Sequence, residues 1–301
     1  MRESQRVAVV GITGFLGHGL PALLAEKGFA TTGISRSGHG QVPGVDRWQP
    51  ADALDLTGHH AVINLAGEPI DQRWNERTRR LFRESRVGVT TRIVEAIAKL
   101  PADARPKVLV NGSAVGIYGD RGNEILSDTS RRGHGYLADL CSDWEDAAKD
   151  AETLGVRVVR LRTGVVLGKD GRAFQKLLTI FKLGIGGKLG SGTQWMPWIH
   201  VADLRAAIVH AVVSETLSGP VNGCSPHPER NRDFTRKLAR GLHRPAILPS
   251  PAFALKLLLG DFSSALLGSQ RALPAALEAD GFKFRFPTFD QALADLLDPS
   301  K

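Results

Sequence analysis

Short β-branched apolar runs alternate with longer stretches of helical periodicity through the first half of the chain. Val7 to Val10 predicts a first strand, and Phe15 to Lys27 a helix closed by Gly28. Thr31 to Ser35 and Ala61 to Leu65 predict two further strands. Arg77 to Leu100 predicts one long helix, with Val87, Ile93, Val94 and Ile97 spaced along a buried face and Pro101 beyond its end. Lys107 to Asn111 (strand), Tyr136 to Leu154 (helix) and Val156 to Leu161 (strand) continue the alternation. This rhythm predicts right-handed βαβ units and an α/β fold with a doubly wound parallel sheet.

After Leu167 the rhythm loosens. Ala173 to Lys182 and Val201 to Val213 predict helices, and prolines gather at Pro220, Pro226, Pro228, Pro245, Pro249 and Pro251. The expected division is a nucleotide-binding domain over residues 1–168, with a later portion of about 198–224 returning to it. Pro220 to Asn222 is a candidate strand of that return. Residues 169–301 are expected to form mainly a smaller, partly helical C-terminal substrate lobe.

The first strand runs into Gly11-Ile12-Thr13-Gly14-Phe15-Leu16-Gly17, which opens a helix. A glycine pattern between a strand and a helix suits a Rossmann-type turn. Glycines allow a tight bend and close backbone approach to a pyrophosphate, and a helix N-terminus offers free N–H groups and a positive dipole end. Gly11, Thr13, Gly14, Phe15, Leu16 and Gly17 are therefore the candidate phosphate cradle. Strand two ends in Ser35-Arg36-Ser37, with no carboxylate near it. An acidic residue there would receive the ribose 2′-hydroxyl of NAD, whereas an arginine pairs with a 2′-phosphate, so NADP(H) is the expected cofactor.

Composition alters this picture little. The 301 residues are 42% hydrophobic and 23% charged, with 33 glycines, in keeping with a globular chain rich in tight turns. No apolar run approaches the roughly 20 residues of a membrane span, and no signal peptide is visible. Cys141 and Cys224 have no metal-site spacing and read as reduced thiols of a cytoplasmic protein. The net charge of +8 is densest at Arg73, Arg77, Arg79, Arg80, Arg83 and Arg86, where Glu76 and Glu84 interrupt it and aromatics are sparse. That reads as a solvated helix face rather than a nucleic-acid surface. His59-His60 lacks a second ligand cluster, so no metal site is expected.

Several motifs together resemble a known family. The glycine loop and Asn64-Leu65-Ala66-Gly67 are similar to the short-chain dehydrogenase/reductase superfamily. Ser113-Ala114-Val115-Gly116-Ile117-Tyr118-Gly119, Leu161 to Gly168, and Trp198-Ile199-His200-Val201-Ala202-Asp203 resemble its extended branch. Val62 to Ile70, Arg73-Trp74, Ser85-Arg86 and Gly190-Ser191-Gly192 with Gln194-Trp195-Met196 narrow the resemblance to its "epimerase family protein" members, often labelled nucleoside-diphosphate-sugar epimerases. The run from Pro249 through Gly268-Ser269-Gln270-Arg271 to Gly281-Phe282 is similar to the small C-terminal domain of that branch. The resemblance implies a seven-stranded Rossmann domain with bound NADP(H) and a smaller lobe closing over a small-molecule substrate. Leu65, Ala66, Gly67 and Glu68 would lie along the cofactor. Arg86 stands where extended members carry an Asn near the nicotinamide ribose, and Arg162 and Thr163 would flank the nicotinamide. Such members are monomers or homodimers, the latter joined through two helices per subunit.

The resemblance also implies a Ser, a Tyr and a Lys four residues after the Tyr. The lysine lowers the Tyr pKa so that its hydroxyl can exchange a proton with substrate. Ser113 and Tyr136 occupy the first two places, but Leu140 stands where the lysine belongs. Three readings stay open: a reductase using Tyr136, Ser113 and a relocated cation; an enzyme relying on the cofactor and oriented binding; or an NADP(H)-binding regulator without turnover. Ser113 has the further alternative of merely satisfying backbone groups. Trp74, Gln194, Trp195 and Trp198 are candidates to line a pocket, Arg271 to hold an anionic substrate group, and Asp203 to cap a helix or partner His200.

Overall fold

The structure, a computed structural model, describes residues 5–246, 248–298 and 300. Its first half comprises β1 (Arg6–Val10), α1 (Leu20–Ala25), β2 (Ala30–Ser35), β3 (Arg47–Pro50), β4 (His59–Asn64), α2 (Glu76–Arg83), α3 (Val89–Ala98), β5 (Val108–Ala114), β6 (Ile125–Leu126) and α4 (Tyr136–Lys149). There follow β7 (Arg157–Thr163), β8 (Val165–Leu167), α5 (Arg172–Lys182), β9 (Trp195–Met196), β10 (Trp198–His200), α6 (Val201–Val213) and β11 (Gly219–Gly223). The remainder is β12 (Glu229–Arg230), α7 (Asn231–Gly241), α8 (Ala252–Leu259), α9 (Ser263–Leu267), β13 (Arg271–Ala272), α10 (Ala275–Ala279) and α11 (Phe289–Leu296).

Seven strands form one parallel sheet in the order β11-β7-β5-β4-β1-β2-β3. The order reverses between β1 and β4, and in open α/β sheets ligands bind at that switch, beyond the strand C-termini. The strands read as continuous apolar runs because both faces are covered. Val7, Val9, Ile63, Val110 and Leu161 face one core with Leu20, Leu24, Leu204 and Ile208. Ala8, Val10, Val62, Leu109 and Val158 face the other with Ile93, Ile97 and Ala148. Successive side chains point to opposite faces, so one strand supplies both cores.

Pro220 to Asn222 lies in β11, the edge strand beside β7. A third core joins α5, α7 and α11 through Phe174, Phe181, Phe234, Phe289 and Leu293. The C-terminal segment also reaches the sheet: Leu277 and Phe282 belong to the first core, and the Asp203 carboxylate on α6 accepts from the N–H groups of Arg285 (2.8 Å) and Phe286 (2.9 Å).

Several local expectations need correction. The helix expected over Phe15 to Lys27 begins later, as a 3₁₀ turn at Gly17–Gly19 followed by α1, because Gly14, Gly17 and Gly19 are poor helix formers and Pro21 sets the first α turn. The helix expected over Arg77 to Leu100 carries a π turn at Glu84–Gly88 between α2 and α3. Within and just beyond it, the hydroxyls of Ser85 and Thr90 donate to the carbonyls of Phe82 (3.2 Å) and Arg86 (2.8 Å), competing with the regular ladder. β3 was not expected; it is a four-residue edge strand containing Pro50, too short for a periodic signal. Asp203 caps no helix. His200 does, its Nδ1 accepting from Ala202 N at 3.1 Å.

Candidate cofactor and catalytic site

The glycine loop leaves β1 at Gly11, whose φ of 81° favours glycine. A Cβ there would also come within 3.0 Å of the Leu65 carbonyl carbon, so the loops after β1 and β4 pack backbone to backbone. At Gly17 a Cβ would lie 2.5 Å from Gly11 O and 2.6 Å from Ile12 Cα. The loop is closed on itself by Gly14 N donating to Gly11 O at 3.0 Å, while the N–H groups of Thr13, Phe15 and Leu16 have no partner among the described residues. Arg205 of α6 fixes the second half of this loop. Its guanidinium donates to Phe15 O (2.5 Å) and Leu16 O (3.1 Å); because a peptide carbonyl points opposite to the next residue's N–H, this turns the Leu16 amide away from Arg205. An open set of amides at a helix N-terminus is what a phosphate needs. The Phe15 side chain takes no part in this cradle. It fills the space over Gly168 and Gly171, where a Cβ would come within 2.5 and 2.9 Å of its ring.

At the end of β2 the hydroxyls of Ser35 and Ser37 donate to His39 O (2.8 and 3.2 Å), which shapes the turn. Arg36 is exposed and has no ion pair among the described residues, so its guanidinium is free for a phosphate.

The Leu65-Ala66-Gly67-Glu68 stretch beyond β4 is held from beneath by a buried amide network. Asn64 Nδ2 donates to Asn111 Oδ1 (2.7 Å) and Thr90 Oγ1 (2.9 Å), and its Oδ1 accepts from Ala66 N (3.2 Å). From the π turn, Ser85 Oγ accepts from Glu68 N (2.9 Å) and Arg86 Nη1 donates to Glu68 O (3.0 Å). The Arg86 guanidinium lies over the Trp144 ring at 5.3 Å, and a Cβ on Gly67 would sit 3.2 Å from it. No carboxylate lies within ion-pair distance of Arg86 among the described residues, and burial lowers its pKa from the ordinary arginine value. It remains a cation at any physiological pH.

Ser113 and Tyr136 are not brought together as a proton-transfer pair. Ser113 is buried, and its hydroxyl donates to Glu145 Oε1 at 2.7 Å. Glu145 in turn receives Arg162 in a bidentate pair, with Nε to Oε1 and Nη2 to Oε2 each at 2.8 Å. The other end of the guanidinium donates to Tyr118 OH (2.9 Å) and Asp128 O (3.0 Å). The Arg162 side chain, expected beside the nicotinamide, is thus committed to a buried ion pair; a lone guanidinium on this strand would be too costly to bury. Thr163 ends β7 half-buried, its hydroxyl 3.4 Å from Leu161 O. Tyr118 donates to Asn222 Oδ1 at 2.7 Å, and burial pushes its pKa up to about 12.

Tyr136 opens α4, but its ring lies against Trp74 (5.2 Å) and under the Arg79 guanidinium (4.6 Å). Its hydroxyl donates to Arg79 O at 3.3 Å, beside a cavity of about 340 Å³ between α2 and α4. Burial raises its pKa above the ordinary tyrosine value, although Arg79, Arg86 and Arg83 draw it down in part. Leu140, in the lysine's place, packs with Trp74 and Phe82.

Of the aromatic candidates, Trp198 is fully buried against Phe289, and Trp74 is buried with its indole donating to Ile70 O (2.8 Å). Gln194 donates to Leu189 O (3.1 Å) and Leu266 O (3.3 Å). Trp195 alone stays half open, with the guanidinium groups of Arg230 and Arg271 each 4.6 Å from its ring. Arg271 has no carboxylate partner among the described residues. His200 is neutral at neutral pH, burial carrying its pKa down to about 4 despite Asp295 Oδ2 at 3.3 Å. The sequence reading missed Arg205, Glu145 and the Asn64–Asn111 pair. Arg205 and Glu145 lie far along the chain from the groups they hold, and only the topology joins them.

A seven-stranded parallel sheet with an open amide cradle at its switch point defines a dinucleotide-binding α/β protein of the Rossmann class. The chain belongs to the NAD dependent epimerase/dehydratase family, whose model matches residues 7–222; residues 250–296 match a domain of unknown function, DUF1731. Among curated relatives it is 38% identical to the Arabidopsis thaliana "Epimerase family protein SDR39U1 homolog, chloroplastic" (98% of this chain, 88% of the relative). It is 34% identical to Bacillus subtilis "Epimerase family protein YfhF" (97% of each). Among solved structures it resembles human epimerase family protein SDR39U1 crystallised with NADPH, with a TM-score of 0.88 and 32% identity over 98% of this chain and all of that one.

Proposed function

We propose that this protein is an NADP(H)-dependent oxidoreductase of the extended short-chain dehydrogenase/reductase type, working in the cytoplasm on a small carbonyl or hydroxyl compound. The observation that carries the reading is the open cradle: the amides of Thr13, Phe15 and Leu16 without partners among the described residues, in a loop held by Arg205, with unpaired Arg36 at the end of β2 for a 2′-phosphate. Leu65 to Glu68 supply the ledge for the nicotinamide half. NADPH held there would supply a hydride to an electrophilic carbon. Arg86 is the relocated cation: it stabilises negative charge on the substrate oxygen without giving up a proton. Tyr136 is held on Arg79 O with a raised pKa, so protonation of that oxygen falls to water. Arg271 beside Trp195 suits an anionic group at the far end of the substrate.

One observation favours a second reading, a regulator that binds NADP(H) without turning it over. Ser113 is consumed by Glu145, and Leu140 replaces the lysine, so the standard acid–base apparatus is absent from its usual place. Sugar-nucleotide epimerisation needs that apparatus for both its oxidation and its reduction and is the weaker reading.

NADPH fluorescence titration of the purified protein, followed by its oxidation with quinones, aldehydes and ketones, separates these readings. A reductase binds NADPH and consumes it, and Arg86→Met lowers kcat while NADPH still binds. Binding without consumption of NADPH on any compound moves the protein to the regulator class. Absence of binding removes both readings.

A further inference from the structure

Two segments of the C-terminal part carry no carboxylate at all: residues 171–202 and residues 234–260. The fold lays them side by side. Arg244 Nε donates to Lys182 O (3.3 Å), Ser250 N to Lys188 O (2.9 Å) and Gly190 N to Ser250 O (2.8 Å), and Leu189 bridges Ser250 as in a parallel sheet. Together they form a face that combines two unusual properties.

The first is apolar exposure. In α8 only Leu255 is buried; Phe253 is 75% exposed, Leu257 84% and Leu258 77%. Leu183, Ile185 and Leu248, on the adjoining segments, are also exposed. Single exposed leucines are ordinary, but a group of large apolar side chains drawn from two adjoining segments marks an interaction surface. The second property is positive charge. Lys188, Arg232, Arg236, Arg240 and Arg244 line a groove of about 530 Å³ that includes Pro249. Asp233 and Asp290 offset three of these arginines, but Lys182, Lys188, Arg244 and Lys256 have no carboxylate within ion-pair distance among the described residues. Lys256 lies within α8 itself, between Phe253 and Leu257.

Exposed apolar side chains bordered by unpaired cations are the pattern of a helix that lies in a lipid interface, its apolar side among acyl chains and its cations on anionic headgroups. A protein partner would need a discrete acidic complement. A bilayer needs only a negative plane, which matches charge spread along two segments and a groove. No helix among the described residues is long and apolar enough to cross a membrane, so the contact is with the surface. We propose that this face seats the protein on an anionic lipid bilayer, with Phe253, Leu257 and Leu258 inserted and Lys188, Arg244 and Lys256 on headgroup phosphates. This assignment is independent of any turnover.

The test is flotation of the full chain with vesicles of phosphatidylcholine, alone or mixed with phosphatidylglycerol. The protein should float with the mixed vesicles, bind pure phosphatidylcholine at least about tenfold more weakly, and be released by high salt. Phe253→Glu with Leu257→Glu, and separately Lys188→Glu with Lys256→Glu, should each weaken partitioning about tenfold or more while circular dichroism and the melting temperature stay unchanged. The proposal is overturned if the wild type does not float with the mixed vesicles, or if either pair of substitutions leaves flotation intact. It is equally overturned if the Phe253→Glu, Leu257→Glu pair dissolves a dimer in sedimentation equilibrium while vesicles are ignored, since a second copy then covers the face.

Discussion

Two ends of the same sheet treat their polar groups in opposite ways. Beyond β1 and β2, the amides of Thr13, Phe15 and Leu16 and the guanidinium of Arg36 have no partner among the described residues, in a loop whose glycines pack backbone against backbone. At the tips of β5 and β7, Ser113, Glu145, Arg162, Tyr118 and Asn222 hydrogen-bond to one another. The first arrangement leaves polar groups available to a ligand. The second locks the strands to α4 and the C-terminal segment. The difference teaches that polar groups at neighbouring strand tips can be closed into structure on one side of a sheet and left open on the other.

The largest test strikes the closed end. Glu145→Leu leaves the buried Arg162 guanidinium without its carboxylate, which should cost about 3–5 kcal/mol in urea unfolding. Adding Arg162→Met should recover most of that loss; no recovery would mean that the network is more than an ion pair. The same interior predicts an acid response. His200 has a pKa of about 4 when folded against 6.5 in the unfolded chain, so the unfolded state binds the extra proton. Stability should fall as pH drops from about 6.5 toward 4, by up to about 3 kcal/mol, and the slope should flatten in His200→Gln.

The open end is tested by affinity. Gly17→Val drives a side chain into Gly11 O and Ile12 and should weaken NADPH about a hundredfold in a fluorescence titration. Arg36→Asp should weaken NADPH by about 10- to 100-fold and leave NADH within about threefold; equal losses would move the 2′-phosphate elsewhere. The smallest effect belongs to Tyr136→Phe, which removes one long hydrogen bond to Arg79 O and should cost at most about 1 kcal/mol with turnover unchanged. A hundredfold loss of kcat would return Tyr136 to the role of general acid.

The fold was legible where the signal is local and periodic. β-Branched runs such as Val7 to Val10 must sit between two cores, and Val201 to Val213 became α6 over those same residues. The glycine turn was legible because a strand, three glycines and a helix are contiguous in sequence. What escaped was non-local or subtle. Nothing near Arg205 announces that it holds the carbonyls of a loop 190 residues earlier. The π turn depends on hydroxyls competing for carbonyls, which helical periodicity does not register. Arg162 looked like a cofactor ligand because its position matched a motif, whereas its direction was decided by Glu145 on a neighbouring helix.

Leu277 and Phe282 lie in the same core as β1, α1 and α6, but they leave the ribosome after every other buried member of it, the latest of which is Val221. The nucleotide-binding half therefore cannot finish packing in the order in which it is made. While the intervening helices are synthesised, the underside of α6 waits uncovered and Asp203 lacks the two amides that later satisfy it. The segment matched to a domain of unknown function thus supplies the last pieces of a core whose other members are already made, and until it emerges that core exposes apolar surface.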